Sequence, residues 1–283
     1  MAVLKEIEKN LETVSIIKNI AGTYHEIANL RMNQIREKVL KTRYFFNELL
    51  NTYQRIKSAY LVSLKKKKNK EFFFRQTEKD EVVIFLSANE FFYGSLLLDI
   101  WKDTERYLTR KKADLVIVGR TGKYLAERSG WGQKMFYFEL NDVEPEKERI
   151  EGIFEFIKNY KKIVVFHGIY EKILSQKPKI TEISSWILPK KETEKEEKTY
   201  LFEPSVEEIL GFFETEILAI LFSQTIFEHQ LAKFAARVIA MYQASEKSKE
   251  IEKFLNLMKN KLERDKINKE QVEYFGGLKF LKK

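Results

Sequence analysis

Of 283 residues, 44% are hydrophobic and 33% charged, with only 11 Gly, 4 Pro and no Cys; that content excludes disorder along the whole length and a turn-rich all-β protein. Without cysteine there is no disulfide scaffold, thiolate metal site or cysteine nucleophile. The net charge of +9 admits nucleic acid, an anionic membrane surface or an acidic protein partner and does not choose among them. The start, MAVLKEIEKN, carries acid at once and has no apolar core, so it does not read as a signal peptide. Apolar runs such as Val82–Leu86 and Ile217–Phe222 are far too short to span a membrane.

The breakers are unevenly placed. Pro145, Pro178, Pro189 and Pro204 all lie in the middle, and glycine is absent from 23–93 and 212–275. Both ends therefore predict long helices. In the first, Ile7, Leu11, Val14, Ile17, Ile20, Tyr24 and Ile27, then Ile35, Val39, Phe46, Leu49, Tyr53, Ile56 and Tyr60, recur at helical spacing. A helix over 3–63 is about 90 Å long and needs a long partner.

The middle alternates. Val82–Ser87, Asp114–Gly119, Lys134–Phe138 and Lys162–His167 read as strands, and stretches near 94–110, 120–128 and 146–160 as helices. That alternation predicts βαβ units and a mostly parallel, Rossmann-like sheet. Ile180–Leu188 and Tyr200–Phe202 are candidate edge strands around a charged loop at 190–198. Beyond Pro204-Ser205, with Glu207 and Glu208 in the first turn, a helix runs to about Phe275, where Gly276-Gly277 is a natural stop. Its stripe is Ile209, Phe213, Ile217, Ile220, Phe227, Leu231, Phe234, Val238 and Met241, then Phe254, Met258 and Leu262. The expected fold is an antiparallel coiled coil of the two end helices (1–70 and 204–283) carrying an α/β domain (71–203).

The catalytic inventory is close to empty. Gly119-Arg120-Thr121-Gly122-Lys123 follows a strand and opens a helix, but its spacing is neither that of a P-loop nor that of a dinucleotide fingerprint. A tight strand-to-helix turn is the better reading. His25, His167 and His229 have no metal-ligand spacing and read as surface or interface histidines. No nucleophile elbow is present, and the carboxylates are spread along helix faces. The basic run Lys65–Lys68 beside Phe72–Phe74 is the one cluster with the chemistry for single-stranded nucleic acid; a solvated helix end is its plainer reading.

Several strings resemble the γ (central shaft) subunits of F-type ATP synthases, over essentially the whole chain. Lys5-Glu6-Ile7 leads through Leu11, Val14 and Ile20 to Ile27-Ala28 and Arg31-Met32, similar to the family's first helix. Ser87–Gly94 stands where the family has Ser-Asp-Arg-Gly-Leu-Cys-Gly, and Gly119 and Gly122 resemble its Ile-Gly-x-x-Gly turn. Tyr200–Pro204 is similar to the segment that introduces the last helix. Ala235, Ala236, Arg237, Ala240 and Met241, with Ala244-Ser245, resemble the family's most specific string. Asn260-Lys261, Ile267 and Glu270 follow at matching distance. Glu263-Arg264 departs from the usual Arg-Gln, and Asn268 from Thr.

The resemblance implies a rotor shaft and no enzyme, without a cofactor. It implies contact with the catalytic α and β subunits through Asn260, Glu263, Arg264, Asn268, Glu270 and Arg31, and an α/β domain against the ε subunit and the ring of c subunits. It also implies a peripheral place on the cytoplasmic side of the cell membrane, coupling of a proton or sodium gradient to ATP synthesis, no nucleic acid and no homo-oligomer. A divergent rotary ATPase with another duty, a basic coiled-coil nucleic-acid-binding protein, and a small α/β enzyme with a helical arm are the alternatives.

Overall fold

The computed structural model describes residues 2–66, 79–183 and 206–280. The basic and aromatic runs at 65–74, the loop expected at 190–198, the edge strand expected at Tyr200–Phe202 and the helix start expected at Pro204-Ser205 lie wholly or partly outside them. In chain order the elements are α1 (Ala2–Lys66), β1 (Lys79–Leu86), α2 (Leu96–Leu108), β2 (Asp114–Val118), α3 (Arg120–Arg128), β3 (Met135–Phe138), α4 (Lys147–Ile157), β4 (Tyr160–Lys172), β5 (Ser175–Ile183) and α5 (Val206–Phe280). Contacts divide the chain into two compact units, Met1–Ala28 with Arg237–Lys283, and Asn29–Ala236. The two long helices contribute to both.

The larger unit is built on a five-stranded sheet in the order β3-β2-β1-β4-β5. Its first three pairings are parallel and β4–β5 is antiparallel, the mostly parallel sheet that the alternating pattern predicts. Successive side chains of a strand point to opposite faces, and β1 shows why its run is apolar throughout. Val82, Ile84 and Leu86 enter a core with Ile153, Phe154 and Ile157 of α4 and Leu218, Phe222 and Ile226 of α5. Val83 and Phe85 enter the opposite core, with Leu97, Ile100 and Trp101 of α2 and Ala232 and Ala236 of α5. A sheet covered on both faces needs apolar residues at every position. Burying each such side chain fully stabilises the fold by roughly 1.5–3 kcal/mol. The same α5 thus supplies both cores from successive turns.

The first part of this unit's α1 is fastened to α5 as well. Ile35, Val39 and Tyr53 are buried. Tyr53 Oη donates to Glu214 Oε1 at 2.6 Å, and Arg43 Nη2 lies 2.9 Å from Glu228 Oε1. Partners advance along one helix as they retreat along the other, so the pair is antiparallel.

The smaller unit repeats that arrangement. Its α1 face is Ile7, Leu11, Val14, Lys18, Ala21, His25 and Ala28, and its α5 face is Met241, Ser245, Ser248, Glu252, Leu255, Lys259 and Leu262, all buried or half-buried. Both alternate steps of three and four, the 3.5-residue period of a coiled coil. Lys18 Nζ meets Glu252 Oε2 at 2.7 Å, Lys259 Nζ meets Glu8 Oε1 at 3.0 Å, and the His25 ring lies 3.0 Å from Val238 O.

Three expectations are corrected here. Ile17, Ile20, Tyr24 and Ile27 are exposed, as are Phe254 and Met258, at 61% and 40%. The apolar count selected a second stripe, because the true interior face uses small Ala21 and Ala28 for close approach and polar Lys18 and His25 as ion-pair and hydrogen-bonding members. The pair Gly276-Gly277 does not stop α5, which runs on to Phe280; an interior glycine costs a helix only about 1 kcal/mol relative to alanine. The β4–β5 hairpin begins well before the edge strand expected at Ile180, since β5 opens at Ser175 and carries Pro178 on the sheet edge, where a missing N–H is tolerated.

Candidate partner-contact surface

The helix pair of the smaller unit has a filled interior and a second apolar stripe left outside. Ile16, Ile17, Ile20 and Ile27 on α1, and Ile251, Phe254, Leu257 and Met258 on α5, form that stripe and are exposed; Ile267, Val272, Tyr274 and Phe275, beyond the paired stretch of α5, are exposed too but are spread round the helix. Exposed apolar side chains grouped on one side of a helix pair suit an interaction surface.

The polar residues singled out in the sequence sit at the α5 end of this surface. Asn260, Arg264 and Asn268 are exposed and successive at four-residue steps, so they share one helix face. Glu263 is half-buried and lies 3.8 Å from Lys259, whose ammonium also holds Glu8. Glu270 is exposed and pairs with Lys266 at 3.7 Å. Arg31 is not brought to this group; it belongs to the larger unit, is half-buried, and donates from Nη1 to Gln34 Oε1 at 3.2 Å. Arg264 thus presents an exposed guanidinium between Asn260 and Asn268 on that face, a group suited to directional contact with a partner carboxylate.

The string Ala235, Ala236, Arg237 and Met241 is buried, and Ala240 half-buried. These residues pack rather than face a partner. Nearby, a Cβ placed on Gly168 would come within 3.1 Å of Ala232 Cβ and of Leu96 Cδ2; an alanine on the helix and a glycine on the strand let α5 lie close to the sheet. Arg237 stands over the Tyr24 ring, 5.9 Å from its centroid.

The Gly119–Lys123 turn is structural. Gly119 has φ of 107°, and a Cβ there would lie 2.8 Å from the Ala88 backbone N. The N–H groups that a phosphate would need are occupied: Arg120 N donates to Asn89 Oδ1 at 3.0 Å and Thr121 N to Ala88 O at 2.8 Å. Of the surface or interface histidines expected, His25 is half-buried between α1 and α5 and His229 lies between α5 and the sheet. His167 and His229 are fully buried. Burial lowers His167 to about 4 and holds His229 well below its ordinary value. Among the described residues no three His, Cys, Asp or Glu side chains come together as a metal site, and no helix is long and apolar enough to cross a membrane.

One polar cluster was not anticipated. Lys233 of α5, 4% exposed, lies with its Nζ 2.5 Å from Asp142 Oδ1 in the β3–α4 loop, and Asp142 is equally buried. Asp142 Oδ2 accepts from the backbone N of Asn89 and of Glu90, each at 2.8 Å. The only trace in the sequence is the string His229, Gln230, Lys233 inside an otherwise apolar helix face.

A family model described as ATP synthase matches residues 3–281, and the relatives it accompanies are ATP synthase γ chains. The chain belongs to the ATP synthase γ-chain family, the central-stalk subunits of F-type ATP synthases. It is 24% identical to the γ chain of Syntrophobacter fumaroxidans, with all of both chains covered. It is 23% identical to that of Roseiflexus castenholzii, with 96% of each covered, and 24% identical to that of Protochlamydia amoebophila, again over the whole of both. Its fold is similar to a chain in the central stalk and c-ring of the Tetrahymena thermophila mitochondrial ATP synthase, with a TM-score of 0.58 at 15% identity, covering 80% of this chain and 99% of that one. A chain of the Euglena gracilis mitochondrial ATP synthase gives 0.55 at 15% identity, covering 88% and 94%. The γ-chain family accounts for both halves of the layout: a central mostly parallel sheet, and long end helices that pair antiparallel.

Proposed function

We propose that this chain is the non-catalytic rotor shaft of a rotary ATP synthase, turning within a hexamer of catalytic α and β subunits. Ion flow through a membrane ring of c subunits would drive it, with the ε subunit beside the α/β fold, and the chain itself would be held peripherally on the cytoplasmic side of the cell membrane. The observation that carries this reading is the exposed apolar stripe on a helix pair whose interior is already filled. A rigid element of this kind biases neighbouring subunits only through contacts that differ with angle. A stripe on one side of a helix supplies such contacts, and the polar row Asn260, Arg264 and Asn268, with Glu263 and Glu270 beside it, supplies directional ones. Arg31, on the larger unit, is a separate contact candidate.

The three-part division at 1–70, 71–203 and 204–283 follows the same logic: two helical arms form the shaft and the segment between them faces the ring. The test is reconstitution with catalytic α and β subunits of a rotary ATP synthase. ATP should drive rotation of a probe attached to this chain, and the chain alone should hydrolyse no ATP. A hexamer that hydrolyses ATP equally well with and without this chain, and turns no probe fixed to it, overturns the proposal.

A further inference from the structure

The segment of α5 from His229 to Ala236 lies against the carboxyl end of β1, β4 at Gly168 and the loop after β3, and it is bonded to each. His229 Nε2 donates to Ser87 O at 3.1 Å, just past β1, and its Nδ1 accepts from Gly168 N at 2.9 Å, on β4. Gln230 Nε2 donates to Asp142 O at 2.8 Å. Lys233 Nζ reaches Asp142 Oδ1 at 2.5 Å and Ser87 O at 3.3 Å, and stands 5.5 Å over the Tyr93 ring. The Tyr93 hydroxyl is 3.3 Å from Asp142 Oδ2. Asp142 is therefore tied to the loop after β1 on one oxygen and to α5 on the other.

We propose that Lys233 is a positioning residue for torque transfer: its ion pair with Asp142 locks the rotational setting of α5 on the α/β fold, so that load on that fold enters the helix here. The inference rests on the rotor reading. Apolar contacts between a helix and a sheet are non-directional and resist turning of the helix about its own axis weakly. A buried ion pair resists it strongly, because parting the charges leaves both desolvated and unpaired. The anchors at 229, 230 and 233 lie on one helix face, so any turn of α5 strains all of them together. The pair is also dispensable for folding in a way that separates the two roles. Replacing a buried ion pair by neutral groups of similar size is often close to neutral for stability, whereas removing one partner is not.

The experiment uses the hexamer assembled with this chain and a bead attached through a cysteine introduced at exposed Lys112, the native chain having none. Torque on the bead is measured for wild type, Lys233→Met and Lys233→Met/Asp142→Asn, together with ATP hydrolysis in solution without a bead and the melting temperature of each free chain. The double variant keeps an acceptor for Asn89 N and Glu90 N and is expected to melt close to wild type. Its unloaded hydrolysis should match wild type, while torque on the bead falls and slips interrupt the rotation. Lys233→Arg should restore part of the torque. Wild-type torque in a folded double variant overturns the role of Lys233. If wild type itself turns no bead while the hexamer hydrolyses ATP, the rotor reading fails instead.

Discussion

Acidification from about pH 6.5 to 5 should loosen the larger unit through its buried histidines. His229 is held as a neutral ring: its Nδ1 accepts from Gly168 N, so a proton added there abolishes the bond, while Nε2 already donates to Ser87 O. His167 lies beside it, with Nδ1 3.0 Å from Gly168 O and Nε2 2.7 Å from Thr181 Oγ1. Burial is the main cause of the lowered pKa at both. Lys179 adds to it and Glu228 opposes it at His167, and Lys233 and His167 add to it at His229. An unfolded histidine takes its proton near 6.5 and folded His167 near 4. Between those values the unfolded chain binds more protons, so stability falls as pH falls. From pH 7 to pH 5 that amounts to about 2 kcal/mol for His167, and to about 3 kcal/mol by pH 4. His229 contributes in the same direction. Asp80, held low by Lys161, and Glu171, held low by Lys177, lose their contributions only lower, as pH falls from their ordinary values through the depressed ones. The window from 6.5 to 5 therefore isolates the histidines. Urea unfolding of the free chain, followed by the fluorescence of buried Trp101, measures it. His167→Gln should start less stable and lose part of the pH slope. A wild-type stability flat from pH 7 to 5, or a His167→Gln slope as steep as wild type, would refute the reasoning.

Other perturbations have signs that the structure fixes. Gly122→Ala should destabilise by about 1–3 kcal/mol through overpacking, because its Cβ would lie 2.7 Å from Ser87 Cβ and 2.8 Å from Ile117 Cγ2; thermal melting checks it. Tyr53→Phe leaves the Glu214 carboxylate without its 2.6 Å donor and should cost about 1–3 kcal/mol, read by chemical denaturation. Arg264→Ala should leave the free chain within about 0.5 kcal/mol of wild type, as exposed side chains usually do, yet lower ATP-driven turnover of the assembled complex. Unfolding of the free variant with unchanged assembled turnover would make Arg264 structural. Ile20→Ser, on the outer stripe, should likewise spare the free chain's stability and weaken assembly, measured as the fraction of hexamer that retains the chain.

What could be read from sequence followed from the distance over which each signal acts. The parallel strands were legible because covering both faces makes every position apolar, as in Val82–Leu86. The long helices were legible because Gly and Pro are confined to the middle. The interior face of the helix pair was not, since a hydrophobicity count favours Ile17 and Ile20 over Ala21 and Lys18. Only pairing shows that Ala21 permits close approach and that Lys18 has Glu252 to meet. The clasp on α5 was least legible of all. Lys233 is marked only by the polar string His229, Gln230, Lys233 in an apolar helix face, and nothing local points to its partner Asp142, 91 residues earlier in the chain. The same holds for His167 and His229, which lacked a ligand spacing and so read only as surface or interface groups. Their burial follows from the packing of α5 against the end of β1 and against β4 at Gly168, where the carbonyl of Ser87 and the N–H of Gly168 take partners from the helix. A buried polar group must be paired, so the helix that covers those ends has to carry polar residues at 229, 230 and 233. That requirement explains why a face otherwise built from Ile226, Ala232 and Ala236 is interrupted there. It also explains why the interruption coincides with the place where the helix is hydrogen-bonded to β1, to β4 and to the loop after β3.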